Sequence, residues 1–150
     1  MSGTPSIASY YIEDLTVGQS ASYTRKITEA DVQKFGEVSG DMNPLHFDET
    51  YAKGTMFRGR IAHGILSVSF LSTVLGTKLP GAGSIFLGAS VRFKGPVRIG
   101  DTVTATCRVR EIDMAKKRVT FECICTVGET PVVEGEAQVK VPTRGAQQKE

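Results

Sequence analysis

The stretch Ile61–Leu75, which reads IAHGILSVSFLSTVL, predicts the central element of the fold. Apolar residues recur in it at three- and four-residue steps, the spacing of one face of a helix. That set is Ile61, Ile65, Val68, Leu71 and Leu75, while Leu66, Phe70 and Val74 make most of the remaining circumference apolar. The pattern predicts a helix that is buried nearly all round and ended by Gly76.

The residues after this helix alternate between polar and apolar with a period of two, which predicts four strands with one wet and one dry face each. The dry sides are Ile85, Leu87, Ala89, Val91 and Phe93; Val103, Ala105, Cys107 and Val109; Val119, Phe121, Cys123, Cys125 and Val127; and Val133, Ala137, Val139 and Val141. Four consecutive strands are most simply an antiparallel meander, and a further strand near Ser20 to Ile27 makes five.

The apolar face of a sheet and the apolar surface of a helix must each be buried against another element. The sequence therefore predicts one α+β domain over residues 1–150, in which a five-stranded antiparallel sheet curls around helix Ile61–Leu75. The tails at about 1–9 and 143–150 are expected to be frayed or disordered.

Two shorter helices precede the central one. Thr28 can cap a helix whose first turn carries Glu29 and Asp31, and Gly40 suits its end. A second helical piece is expected from Asp48 to Lys53. The residues between them would form a turn just past the first helix.

Composition excludes several classes of function. The chain has 150 residues with 40% hydrophobic and 23% charged residues and a net charge of +2. The charges are scattered, which argues against a nucleic-acid partner. No apolar run is long enough for a membrane span, and no secretory signal is visible.

The three cysteines also bear on compartment and cofactors. Cys107, Cys123 and Cys125 are odd in number and fall on dry strand faces, as expected of buried thiols in the cytoplasm. Cys123 and Cys125 with His46 offer no second ligand pair, so a zinc site is not expected. We expect neither a metal nor a cofactor.

The turn Gly40–His46, which reads GDMNPLH, carries the strongest chemical signal. It places a carboxylate, Asp41, and an imidazole, His46, five positions apart. Such a pair can hold a water molecule and move its protons near neutral pH. The alternative is ordinary turn chemistry, in which Asp and Asn side chains bond to nearby backbone.

The segment Phe35–His46, followed by Ala52, resembles the hydratase motif of the MaoC-like hot-dog family. Within that family, it is similar to the short (R)-specific enoyl-CoA hydratases of polyhydroxyalkanoate-producing bacteria. The likeness extends from about Leu15 to Pro142. It includes Ile61–Gly64, Leu79–Ile85 and Phe93–Val97.

The resemblance implies reversible, cofactor-free hydration of trans-2-enoyl-CoA to (R)-3-hydroxyacyl-CoA, in a homodimer whose subunits share a continuous sheet. Asp41 and His46 match the dyad that activates water, and Asn43 matches the asparagine that shapes their loop. Gly64 matches the glycine whose backbone N–H holds the thioester carbonyl. Ser72 matches a helix serine near the hydrogen bonds of the dyad.

Hydration of this kind requires a base, an acid and a donor to the enolate oxygen. His46 suits the base, since its unperturbed pKa is about 6.5. Asp41 would serve as the acid only if burial raised its pKa well above about 4. A helix start supplies free N–H groups, and glycine permits close approach, which supports the role of Gly64. Gly64 could instead serve only tight packing, and His63 is expected to be structural.

Three alternatives stay open at this point. The first is a dehydratase of acyl-carrier-protein thioesters. The second is a hot-dog thioesterase, although Ile61–Leu75 contains neither Asp nor Glu to perform that hydrolysis. The third is a non-catalytic acyl-CoA binder, which would have no use for a proton-transfer pair.

Overall fold

A five-stranded antiparallel sheet and the long helix packed on it dominate the computed structural model, which describes residues 6–147 and side chains as far as residue 145. The strands are β1 (Ser20–Lys26), β2 (Ile85–Phe93), β3 (Thr102–Asp113), β4 (Arg118–Val127) and β5 (Thr130–Lys140). The helices are α1 (Glu29–Ser39), α2 (Pro44–Phe47), α3 (Glu49–Lys53), α4 (Gly64–Thr77) and α5 (Arg144–Gln147), with a 3₁₀ turn at Ile12–Asp14.

The sheet wraps around α4, which contacts all five strands. The dry faces of β3, β4 and β5 pack against the buried side of α4, formed by Leu66, Ser67, Phe70, Leu71, Val74 and Leu75. Burial of this apolar surface is the main stabilising contribution to the domain. The predicted α+β arrangement is thus confirmed. None of the helices in residues 6–147 has the length and hydrophobicity that a membrane span requires.

The predicted meander is wrong for its first strand, because the order in the sheet is β1-β3-β4-β5-β2. Only β3, β4 and β5 form a meander, while β2 pairs with β5 and β1 pairs with β3. Alternation identifies strands but does not fix their neighbours. The connection from β2 to β3 runs past the start of α4, where the Ala62 N–H donates to the Val97 carbonyl at 2.7 Å.

The dry face predicted for β2 is not covered within this chain. Ile85, Leu87 and Phe93 expose 56%, 44% and 52% of their surface. Ile65 on α4 is 55% exposed, so α4 is not buried all round as predicted. One stripe of the helix and one edge of the sheet therefore present apolar side chains to the outside.

The central helix begins three residues later than predicted and continues past Gly76 to Thr77. Ile61 and Ala62 lie outside the helix and donate their N–H groups to the carbonyls of Leu45 and Val97, and His63 is the N-cap with ψ of 130°. The predicted helices at 29–39 and 48–53 are confirmed as α1 and α3, with Thr28 and Asp48 as their N-caps.

The tails are more ordered than expected where the structure describes them. The Ala8 N–H donates to the Thr77 carbonyl at 2.9 Å, and Ser9 forms a bridge with Gly81. Residues 144–147 form α5, and Arg144 pairs with Asp14. The rest of the predicted frayed tails, residues 1–5 and 148–150, lies outside the described residues.

Candidate active site

The loop that carries Asp41 is set by the end of α1. Gly40 adopts a left-handed conformation with φ of 79°, which stops the helix and redirects the chain. One turn earlier, Gly36 allows α2 to approach closely. A Cβ on Gly36 would lie 2.5 Å from the ring of Phe47 and 2.9 Å from the sulfur of Met42.

Asp41 and Asn43 stabilise this loop through their own side chains. Asp41 Oδ1 accepts from the Asn43 N–H at 3.3 Å, and Asn43 Oδ1 accepts from the Leu45 N–H at 3.0 Å. Asn43 is therefore the N-cap of α2, with Pro44 at its first position. The expected turn thus ends in a short helix, and His46 lies on that helix.

His46 is buried, and its hydrogen bond fixes its tautomer. Nδ1 lies 2.8 Å from the Ile61 carbonyl, which can only accept, so Nδ1 carries the proton and Nε2 is free to act as a base. Burial lowers the pKa of His46 from its ordinary value of 6.5, whereas the hydrogen bond to Ile61 raises it. His63 and Arg60 lower this pKa further, and the Asp41 carboxylate opposes them.

The carboxylate of Asp41 and the imidazole of His46 come together. One oxygen of Asp41 and one nitrogen each of His46 and His63 all lie within 4.8 Å of one another. A water molecule that makes two hydrogen bonds of about 2.8 Å at a tetrahedral angle separates its partners by about 4.6 Å. The spacing therefore suits a bridging water. Asp41 itself is exposed, so this chain alone does not supply the burial that an acid role requires.

His63, expected to be structural, lies at the centre of the site. Its ring stacks on that of His46 with centroids 3.9 Å apart and planes inclined by 29°. Its Nε2 donates to the backbone carbonyl of Asp41 at 2.9 Å. The position of His63 directly before Gly64 was a signal for this role, but the stack on His46 depends on tertiary structure.

Gly64 is the first residue of α4, so its amide has no acceptor four residues back within the helix. Phe93 lies against it, since a Cβ on Gly64 would be 2.6 Å from Phe93 Cε1. Both residues line a largely apolar cavity of about 530 Å³. Its other walls include Met56, Phe57, Ile61, Ala62, Ile65, Pro96, Val97, Val132 and Val133.

Ser72 lies far from Gly64 along α4. It follows Gly64 by eight residues on the same helix, which places it about 12 Å further along the axis. It is exposed on the outer side of α4. A role near the dyad would require a second copy of the chain.

Arg60 is a residue of the site that sequence reasoning missed. Its Nε donates to the His46 carbonyl at 2.7 Å, and its two Nη atoms hold both carboxylate oxygens of Glu29 at 2.8 and 2.9 Å. This bidentate pair connects the start of α1 to α2. No local pattern marks such a long-range contact.

The same three side chains, Asp41, His46 and His63, offer metal-ligand atoms. An imidazole nitrogen binds a metal along its lone pair, which lies in the plane of the ring. The two stacked rings are only 29° from parallel, so their lone pairs do not converge on one point. The geometry suits a water molecule between a base and a carboxylate better than a metal ion.

The family of the chain follows from its similarity to known proteins. Residues 15–133 match the MaoC like domain, and the chain belongs to that family. It is 54% identical to the (R)-specific enoyl-CoA hydratase of Rhodospirillum rubrum over 136 residues, 91% of this chain and 94% of the relative.

Two solved structures show the same fold. The unliganded R-hydratase PhaJ1 from Pseudomonas aeruginosa superimposes with a TM-score of 0.86 at 41% identity, covering 92% of this chain and 89% of that chain. The (R)-hydratase from A. caviae involved in PHA biosynthesis gives a TM-score of 0.83 at 43% identity, covering 87% and 99%.

Proposed function

We propose that this protein is an (R)-specific enoyl-CoA hydratase, which reversibly adds water to trans-2-enoyl-CoA to give (R)-3-hydroxyacyl-CoA. The observation that carries the proposal is that a carboxylate oxygen of Asp41 and a ring nitrogen of His46 lie within 4.8 Å of each other, while His63 connects them to the first amide of α4, that of Gly64. The hydratase relatives support the choice of substrate class.

In the proposed mechanism, a water molecule is held between the Asp41 carboxyl group and Nε2 of His46. His46 takes a proton from the water as its oxygen attacks C3 of the enoyl thioester. Charge that develops on the thioester oxygen is stabilised by the Gly64 N–H, a contribution commonly worth about 3 kcal/mol per donor. Asp41 delivers a proton to C2 and is reprotonated through the dyad. Because both groups lie on one side of the substrate, the addition is syn.

The apolar cavity beside Gly64 is the proposed location of the hydrocarbon or pantetheine part of the substrate. Its walls are mainly aliphatic and aromatic side chains, as expected for a site that takes a flexible acyl thioester. No cofactor is needed for this reaction, since the water supplies both the hydroxyl group and the proton.

A homodimer is part of the proposal. Within the described chain, β2 pairs only with β5, so its other edge is open. Three apolar side chains of this strand are exposed: Ile85, Leu87 and Phe93. An open apolar edge is normally covered or paired. Antiparallel pairing of β2 with a second copy would extend the sheet, cover Asp41 and the exposed stripe of α4, and bring Ser72 of one copy towards the dyad of the other.

We place the enzyme in the cytoplasm, because its three cysteines are free thiols buried in the core. A role in polyhydroxyalkanoate supply is supported by the similarity to the A. caviae enzyme. The product of the reaction, a 3-hydroxyacyl thioester, has the chemistry that such a polymer requires.

The test is the loss of the enoyl-thioester absorbance band when crotonyl-CoA is added to the pure protein, with chiral analysis of the product. Asp41→Asn and His46→Ala should each lower kcat by about a thousandfold or more while the fold is retained. Asp48→Asn is the matched control, because Asp48 only caps α3 and asparagine is an equally good cap.

Two outcomes would reject the proposal: a native protein that does not hydrate enoyl-CoA of any chain length, or D41N and H46A variants as active as the native protein. Faster turnover of crotonyl-acyl-carrier-protein than of crotonyl-CoA would favour the alternative, a dehydratase of carrier-protein thioesters.

A further inference from the structure

We infer that His63 is a positioning residue for the proposed hydratase, and that it holds the Asp41 loop, the His46 ring and the Gly64 amide in one fixed arrangement. The inference rests on the proposed function. It adds a residue whose contacts, rather than contact with the substrate, decide the geometry of the dyad.

The hydrogen bond of His63 fixes its tautomer. Its Nε2 lies 2.9 Å from the backbone carbonyl of Asp41, which can only accept, so Nε2 carries the proton. Its Nδ1 is buried and has no hydrogen-bond partner among the described residues. The ring therefore uses its single N–H to hold the backbone of the residue that bears the catalytic carboxylate.

The His63 ring also packs face to face against the His46 ring. The His63 ring lies 3.9 Å from the His46 ring and is enclosed on other sides by Phe35 at 4.7 Å and Phe47 at 5.6 Å between ring centroids. His46 is fixed at its far nitrogen by the Ile61 carbonyl, and the face of its ring rests on His63. Any rotation of the His46 ring would therefore disturb both its hydrogen bond to Ile61 and its stack on His63. These two contacts fix the direction in which Nε2 points.

His63 is also the neighbour of Gly64 in the chain. It is the N-cap of α4 and directly precedes Gly64, and consecutive Cα atoms are about 3.8 Å apart. One residue thus contacts the acid loop through a hydrogen bond, the base through a stack and the oxyanion donor through a peptide bond. A displacement of about 1 Å in such an arrangement can lower a rate by about a hundredfold.

Two substitutions separate the two side-chain contacts. His63→Phe keeps an aromatic ring on His46 but removes the donor to Asp41. His63→Gln keeps a donor within reach of the Asp41 carbonyl but removes the ring. We expect H63F to lower kcat for crotonyl-CoA at least tenfold with KM changed less than threefold, because the carboxylate loop is released while the binding cavity is intact.

The pH profile distinguishes positioning from a merely structural role. The titratable and charged groups that face His46 are Asp41, His63 and Arg60. Loss of the ring in H63Q admits water to His46, so the acid limb of kcat/KM should move to higher pH. H63F keeps the His46 ring covered and loses only the smaller pKa-lowering effect of His63 itself, so its limb should move less than that of H63Q. Leu79→Ala, buried at the other end of α4, is the control and should lower stability without moving the limb or kcat per folded molecule.

The tautomers give a readout that does not depend on activity. The chain has only two histidines, so a nitrogen-15 spectrum of the native protein at pH 8 contains two imidazoles. We expect the proton on Nε2 of His63 and on Nδ1 of His46. If H63F fails to fold, this spectrum still tests the hydrogen bond between His63 and Asp41, and the kinetics of H63Q test the stack on His46.

A proton on Nδ1 of His63, or kcat within twofold of native in folded H63F and H63Q, would overturn this inference alone. A loss of kcat that matches the loss of folded protein, as in L79A, would also overturn it. A native protein without hydratase activity would instead overturn the proposed function.

Discussion

At the residue scale, Gly64 combines an amide that has no acceptor within its helix with the absence of a side chain, and Phe93 occupies the direction that a side chain would take. We expect Gly64→Ala to fold normally, since alanine is favourable in the first turn of a helix. Its Cβ would push the Phe93 ring or the thioester away, so kcat/KM for crotonyl-CoA should fall at least tenfold.

Steady-state kinetics combined with thermal unfolding check this expectation. Gly76→Ala is the matched control, because Gly76 lies on the same helix with nothing within 4 Å of an added Cβ. Equal activity of G64A and native protein would show that the thioester does not approach this amide.

The lowered pKa of His46 should set the acid limb of the pH profile of activity. Burial lowers its pKa from 6.5, and the neutral ring is the base. As pH falls, the native protein therefore keeps its base unprotonated beyond 6.5 and loses activity only when pH passes through the lowered value. The acid limb of the kcat/KM profile should have its midpoint below 6.5.

The same shift affects stability, since the unfolded chain binds a proton at His46 at higher pH than the folded chain does. The contribution of His46 to the free energy of unfolding is fully present above about pH 6.5 and is lost as pH falls through the lowered pKa. For the activity profile, the contradicting result would be an acid limb of kcat/KM with its midpoint above pH 7 in the native protein that is absent from H46A. Such a limb would be inconsistent with a buried His46 ring.

The sequence pointed to Asp41, His46, Asn43 and Gly64 as candidates because they lie in short motifs with a recognisable chemistry. It placed Ser72 correctly on the central helix but could not show that the helix carries it about 12 Å from Gly64. The stack of His63 on His46 and the grip of Arg60 on Glu29 join distant segments. Such contacts are set by packing, so no local pattern contains them.

At the scale of elements, the approach of α2 to α1 determines where the imidazole lies. Gly36 is buried in α1 against Phe47 and Met42. Gly36→Ala gains helix propensity of up to about 1 kcal/mol, but its Cβ would force α2 outwards. We expect kcat to fall several-fold or more, with the free energy of unfolding changed by less than about 2 kcal/mol.

Urea unfolding and crotonyl-CoA kinetics, measured on the same preparation, separate these two effects. Gly54→Ala, next to α3, offers a glycine whose added Cβ meets only the Tyr51 carbonyl at 3.4 Å. A G36A variant with native kcat would mean that the position of α2 is tolerant.

The elements themselves were largely predictable. Strict alternation marked β3, β4 and β5, and caps at Thr28 and Gly40 marked α1. The start of α4 was placed too early because Ile61 continues the apolar spacing, although its carbonyl bonds to His46 instead of to a helical N–H. The neighbours of β2 were wrong because alternation is the same at the edge and in the middle of a sheet.

At the scale of the whole molecule, the exposed edge of β2 is where the proposed dimer would form. We expect Leu87→Glu to prevent dimer formation, because it places a carboxylate on the edge that the proposed interface would bury. Activity should fall with the dimer, since Asp41 is exposed and Ser72 is remote in the single chain. Sedimentation velocity and kinetics over a range of protein concentrations measure both.

Met114→Lys is the control for that experiment. Met114 is 51% exposed, like the residues of β2, but lies in the turn between β3 and β4. A monomeric native protein with full activity would rule out the proposed assembly.

Phe93 belongs both to the open strand and to the wall of Gly64. In the proposed dimer, any shift of β2 on association would therefore be transmitted to the proposed contact between Gly64 and the thioester. Thermodynamic linkage makes such an effect reciprocal, so a ligand seated against that ring would tighten self-association by the same factor by which self-association tightens the ligand. Dilution would then lower turnover, and saturation with ligand would protect against it.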